Sequence, residues 1–184
     1  MTLELQLTKN QPKDTTMANI NPKLDLFFER VVPVEPSDIW RCWTVPEHLM
    51  PWFTPEPWKT VACKIDLKPG GIFNTTMLSP EGQEFPNRGC YLEIVPNRLL
   101  VWTNALEPGF RPSILMTDTP CDSFAFTASI ALQPIDGGTK YTAMVQHASE
   151  SGKQQHEAMG FEQGWGKALE QMVAFIQSTR VQKP

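Results

Sequence analysis

Basic excess is missing from this chain of 184 residues. Lys and Arg number 16 against 20 Asp and Glu, a net charge of −4. With no basic run either, nucleic acid is not expected as a partner. Long apolar runs are missing too. None approaches the ~20 residues that a membrane span requires, so no membrane insertion is expected. The N-terminus lacks a charged-then-apolar signal pattern, which makes the cytoplasm the expected location. Cys42, Cys63, Cys90 and Cys121 form no C-x-x-C pair. That excludes a zinc knuckle or redox motif and leaves free thiols that fill core space. No Ser-His-Asp order, Gly-rich phosphate loop or paired carboxylates can be found. HEAMG at 156–160 lacks the second histidine of a zinc-protease helix. No metal and no cofactor are therefore expected.

What is there points to one domain. Apolar residues make up 41%, enough for a core. Residues 1–23 alternate weakly at Leu3, Leu5 and Leu7 and then turn polar, which reads as a flexible N-terminal arm. The folded unit is read over 24–180. LDLFFERVV (24–32) reads as a strand stopped by Pro33. EPSDIWRCW (35–43) has Pro36 at a helix start, and VPEHLMPWF (45–53) a second short helix or turn. Three strand pairs follow. WKTVACKIDL and IFNTTML flank KPGG, RGCYLEIV and LLVWTNA flank PNR, and FAFTASIALQ and TKYTAMVQHA flank PIDGG. A long amphipathic helix, near 153–179, closes the chain.

Three consecutive hairpins imply an antiparallel sheet, and the helix needs an apolar face to lie on. The expected class is α+β. Period-2 alternation turns Tyr141, Ala143, Val145 and His147 inward, with Phe124, Phe126, Ala128, Ile130 and Leu132. The same rule sends Cys90, Leu92 and Ile94 inward, and Val61, Cys63 and Ile65. Leu99–Trp102 is apolar on both sides and its inward face stays open. A face of that kind also suits a homodimer contact.

Several stretches resemble a known family. They are P-x-x-I-W-R…W-T-V-P-E-H-L…W-F-T-P (36–55), D-L-K-P-G-G (66–71), 89–101 and G-F-E-Q-G-W-G-K-A-L (160–169). In motif and order the chain is similar, over about 24–178, to the START-like (SRPBCC) domains. It is nearest the branch holding the activator of Hsp90 ATPase and the calicheamicin-resistance protein. The resemblance implies a helix-grip fold: a curved antiparallel sheet around the C-terminal helix, two short helices after the first strand, and a cavity between. It does not imply one function, since relatives include lipid carriers, polyketide cyclases, antibiotic-sequestering proteins and co-chaperones.

Three readings follow. The first is a protein that binds an apolar or aromatic small molecule in that cavity. Trp43, Trp52, Phe53, Phe73, Trp102 and Phe126 would line it from the sheet and short helices. Phe161, Trp165 and Leu169 would line it from the last helix. Gly160 and Gly164 would form a notch beside Trp165, since glycine in a helix costs about 1 kcal/mol and calls for a reason. The second is an enzyme of cyclase, dehydratase or hydrolase type. Its candidates are His147 as acid or base, Tyr141 as hydroxyl donor and Arg111 as anion clamp. The third is an interaction module acting on a chaperone, implied by the resemblance alone. The chain's length and the lack of a partner-helix pattern in 1–23 weigh against it. The long segment 107–122 holds Phe110, Ile114, Leu115 and Met116. It reads as a loop that folds over one opening, with Arg111 at the rim.

Overall fold

Residues 20–114 and 124–181 are described by the computed structural model. The arm up to residue 19, together with Leu115, Met116 and Cys121, lies outside the described residues. The chain begins with β1 (Asp25–Val32), α1 (Pro36–Thr44) and α2 (Pro46–Leu49). Pro36 and Pro46 each sit at a helix N-terminus, where a missing N–H costs nothing. Then come β2 (Lys59–Ile65), β3 (Phe73–Leu78), β4 (Glu84–Asn87), β5 (Cys90–Val95) and β6 (Leu99–Thr103). A two-residue pair, β7 (Leu106–Glu107) and β8 (Arg111–Pro112), precedes β9 (Phe126–Ile135) and β10 (Gly138–His147). The helices α3 (Glu150–Ala158) and α4 (Phe161–Val181) close the chain.

Every strand pair is antiparallel. Five strands form one sheet in the order β1-β10-β9-β6-β5, and β2-β3-β4 form a second. The bridge Ile72↔Cys90 joins the two. With the long C-terminal helix this is the helix-grip arrangement. Leu169, Met172 and Ile176 on α4 are buried with Leu26, Phe28, Ile130, Tyr141 and Val145 of the sheet. Those α4 positions recur every three or four residues, as one helix face must.

Four expectations need correction. The last helix is not one piece. At Met159–Gly160 the chain leaves the helix, and Gly160 takes φ +86°, a left-handed conformation that favours glycine. Gly160 therefore terminates α3 and is not part of a notch. On β2 one residue differs: Cys63 and Ile65 pack against the core as alternation sends them, and Val61 does not. The β2–β3 register shifts between Thr60 and Ala62, so Thr60 is buried and Val61 is 43% exposed. Val61 is the extra residue of a bulge, and the expected faces resume at Cys63. A similar shift between Tyr91 and Glu93 on β5 buries Cys90 and Tyr91 alike and leaves Leu92 half-buried, while Ile94 packs against the core as expected. Finally, 84–87 and 106–112 contain short strands where the sequence reads as loop.

The faces of β9 and β10 agree with alternation. Tyr141, Ala143, Val145, His147, Ala128, Ile130 and Leu132 are all buried, and Phe126 is half-buried. The open question at β6 has an answer. Leu100 and Trp102 face the core, and Leu99 and Val101 are half-buried on the other side. The strand lies between β5 and β9, which pair with its two edges.

Candidate functional site

An aromatic cluster occupies the space between sheet and α4. Trp43, on the inward side of α1, is its hub. Its ring lies 5.0 Å from Trp52, 5.2 Å from Trp102, 5.8 Å from Phe53, 6.3 Å from Trp165 and 6.5 Å from Phe73. Phe73 continues to Tyr91 and Trp102, each at 5.2 Å. Trp165 continues along α4 to Phe161 at 5.6 Å. Offset and edge-on pairs at these spacings each add ~0.5–1.5 kcal/mol beyond area burial. The structure thus brings together Trp43, Trp52, Phe53, Phe73, Trp102, Phe161 and Trp165, with Leu169 in the same core. Phe53 and Trp165 are half-buried and form its rim; the other rings are buried.

These rings pack on one another in the place expected for the cavity. Two surface clefts lie at its margins. One, about 300 Å³, is lined by Met50, Pro51, Thr54, Glu56, Pro57, Trp58, Lys59, Thr60 and Gln171. It opens on the loop that carries Trp52 and Phe53. Gln171 on α4 holds that loop. Its amide nitrogen donates to the carbonyls of Trp52 (3.1 Å) and Thr54 (3.0 Å), and its carbonyl accepts from Glu56 N–H (2.9 Å). The other, about 370 Å³, lies between β1 and the α3–α4 junction and includes Asp25, Lys153, Glu157 and Phe161.

Among the described residues, three polar groups in the aromatic region have no partner. The indole N–H of Trp43, the indole N–H of Trp52 and the hydroxyl of Tyr91 are buried and unbonded. The Trp43 N–H lies toward the Tyr141 hydroxyl without closing a hydrogen bond. It offsets part of the burial that pushes Tyr141 well above its usual range. Burial also raises Tyr91, and the neighbouring Cys63 thiol adds to the effect. Buried polar groups are nearly always paired, so each orphan calls for an explanation. Tyr91 escapes sequence reasoning because alternation sends its neighbours Cys90 and Leu92 inward, and only the register shift turns it into the core.

The three catalytic candidates do not converge. Tyr141 lies beside Phe28 at 6.4 Å, under the Trp43 end of the cluster. His147 stands six residues along the same strand, about 20 Å away at ~3.3 Å per residue. Arg111 and Phe110 are exposed on the β7–β8 hairpin. That hairpin is pinned to the KPGG turn by Gly109 N–H donating to the Gly70 carbonyl at 2.8 Å. The Phe110 ring stacks over Gly70, where an added Cβ would come within 2.9 Å of it. Ile114 is 89% exposed. The described part of the 107–122 segment therefore packs on a turn of the sheet.

His147 has a partner the sequence did not suggest. Its Nδ1 lies 3.0 Å from the Leu24 carbonyl, and its Nε2 lies 3.0 Å from Nδ1 of His156. A carbonyl only accepts, so His147 carries its proton on Nδ1. Its Nε2 then accepts, and His156 donates from Nδ1. Phe124, Phe126 and Phe161 surround the pair at 5.1–6.4 Å. Burial lowers the pKa of both rings, and His147 adds to the fall at His156, which drops to about 4. The pair is neutral near pH 7. In the sequence His156 reads as one more polar residue at the start of a helix; the contact across nine residues exists only in the fold.

The family described as Activator of Hsp90 ATPase homolog 1-like protein matches residues 33–177. The chain belongs to this family. Among solved structures it is similar to protein NE0264 from Nitrosomonas europaea. Identity is 40% and the TM-score 0.81, over 88% of this chain and 99% of that one. A protein from Rhodobacter sphaeroides shares the fold at 18% identity and TM-score 0.70, over 87% and 97% of the two chains. Protein Ms6760 from Mycobacterium smegmatis does so at 21% identity and TM-score 0.69, over 85% and 93%. No curated protein is significantly similar to the chain. Membership of this family makes the fold a ligand-binding one and names no ligand. Among the described residues, no helix is long and apolar enough to cross a membrane.

Proposed function

We propose that the protein binds a small apolar or aromatic molecule inside the grip, against the rings around Trp43. The observation that supports this is the set of unbonded N–H and O–H groups on Trp43, Trp52 and Tyr91. A core built only for stability has little use for three desolvated donors, each costing ~1–3 kcal/mol when unpaired. Space comes from the rim. Phe53 and Trp165 are half-buried and turn outward at less cost than the buried rings. The 300 Å³ cleft beside the Trp52–Phe53 loop is the entry side.

Native mass spectrometry of freshly purified protein tests the reading, with tryptophan emission followed during titration by a panel of aromatic small molecules. The expected result is an adduct, or a saturable emission change, that weakens in Trp165→Ala. A bare chain mass together with an unresponsive emission spectrum would sink it.

A further inference from the structure

We infer that the molecule held in the aromatic cluster is neutral and presents hydrogen-bond acceptors, as a ketone, quinone or lactone does, rather than a plain hydrocarbon or a carboxylate. This inference rests on the binding reading above and goes further, to the chemical class. An indole N–H can only donate, so Trp52 asks for an acceptor, and Trp43 has the Tyr141 hydroxyl nearby without a closed hydrogen bond. The Tyr91 hydroxyl donates as well, and nothing among the described residues accepts from it. All three groups belong to one connected set of rings: Trp52 to Trp43 at 5.0 Å, Trp43 to Phe73 at 6.5 Å, Phe73 to Tyr91 at 5.2 Å.

The charge follows from what the core lacks. Among the described residues no lysine or arginine is buried. Arg111, the anion clamp suggested by the sequence, is exposed on its hairpin. A carboxylate taken into this site would lose its hydration and meet no cation, which is heavily penalised. A neutral carbonyl avoids that penalty and still accepts from the donors. A hydrocarbon gains the stacking but leaves every donor unpaired. Water is the rival occupant, since buried waters commonly serve such groups.

Three probes on one skeleton separate these cases: 9-fluorenone, fluorene and fluorene-9-carboxylate, measured by equilibrium dialysis against the full chain. The expected order has fluorenone about tenfold or more tighter than fluorene, the ratio that one good hydrogen bond to a buried donor produces. The carboxylate binds no tighter than fluorene. In Tyr91→Phe the fluorenone preference shrinks while fluorene binding holds. The same variant should melt higher without ligand, because an unpaired buried hydroxyl has gone. That melting shift shows the variant to be folded and the hydroxyl to be orphaned. Equal binding of fluorenone and fluorene, unchanged by Tyr91→Phe, would overturn the inference and leave the binding reading standing, with water on the donors. A carboxylate that binds tightest would overturn the neutral class. Failure of all three probes to bind would remove the binding reading, and the inference with it.

Discussion

A histidine pair buried as neutral rings is a proton-sensitive element. His147 and His156 share one hydrogen bond that works only while the His147 Nε2 is unprotonated. An unfolded histidine titrates near 6.5, whereas His156 in the fold titrates at about 4. Between those values the unfolded chain binds more protons than the folded one. Stability then rises with pH across the window and is lost as pH falls from 6.5 toward 4. Urea unfolding midpoints should drop over that range, and His156→Asn should flatten the drop relative to the parent. A variant with the parent's full pH slope would show that the carboxylates carry the acid sensitivity. Glycine gives a second test at this scale. Gly164 would carry an added Cβ 4.0 Å from Pro55, an ordinary contact, so Gly164→Ala should stabilise by up to ~1 kcal/mol through helix propensity. Gly160, at φ +86°, should lose ~1–2 kcal/mol on the same change. Thermal melts moving both variants in one direction would refute that division.

Among the elements, strands with unbroken alternation are legible from sequence and strands with bulges are not. Tyr141 to His147 on β10 follow period 2 without interruption, and their faces can be read directly. Val61 and Tyr91 sit beside register shifts, and each ends on the side opposite to expectation. Nothing local to TVACKI or CYLEIV marks the extra residue, because a bulge answers to the partner strand. The aromatic cluster is legible as composition. Six tryptophans in 184 residues, several of them in the 40–58 segment, already point to a ring-lined interior. Which polar atoms would be left without partners is not legible, since that depends on ring orientation. Gln171 belongs to the same class of hidden contact: in sequence it is one polar residue of a helix, and in the fold it serves three backbone groups of the 52–56 loop. Gln171→Leu should therefore cost ~1–3 kcal/mol and speed amide exchange over residues 52–58. Unchanged exchange there would mean the loop is held by ring packing alone.

At the scale of the whole molecule, the two ends of the chain hold each other. Among the described residues, β1 pairs with β10 and with no other strand. The Thr139 hydroxyl donates to the Val34 carbonyl, and Arg180 on α4 pairs with Asp38 on α1. Leu26 and Phe28 meet their partner strand more than a hundred residues later. This arrangement fixes an order of assembly. Contacts so distant along the chain close late and carry a heavy loop-closure cost, so folding should be slow for a chain of this size. On the ribosome, β1 waits unpaired until β10 has been made. A chain ending at residue 135, before β10, should be digested throughout by protease, whereas the full chain resists. Protection of residues 25–60 in the shorter chain would show that the first third folds without its partner. The last strand synthesised into the sheet is the one that joins β1 to the rest, so β1 has no place in the fold until β10 has been made.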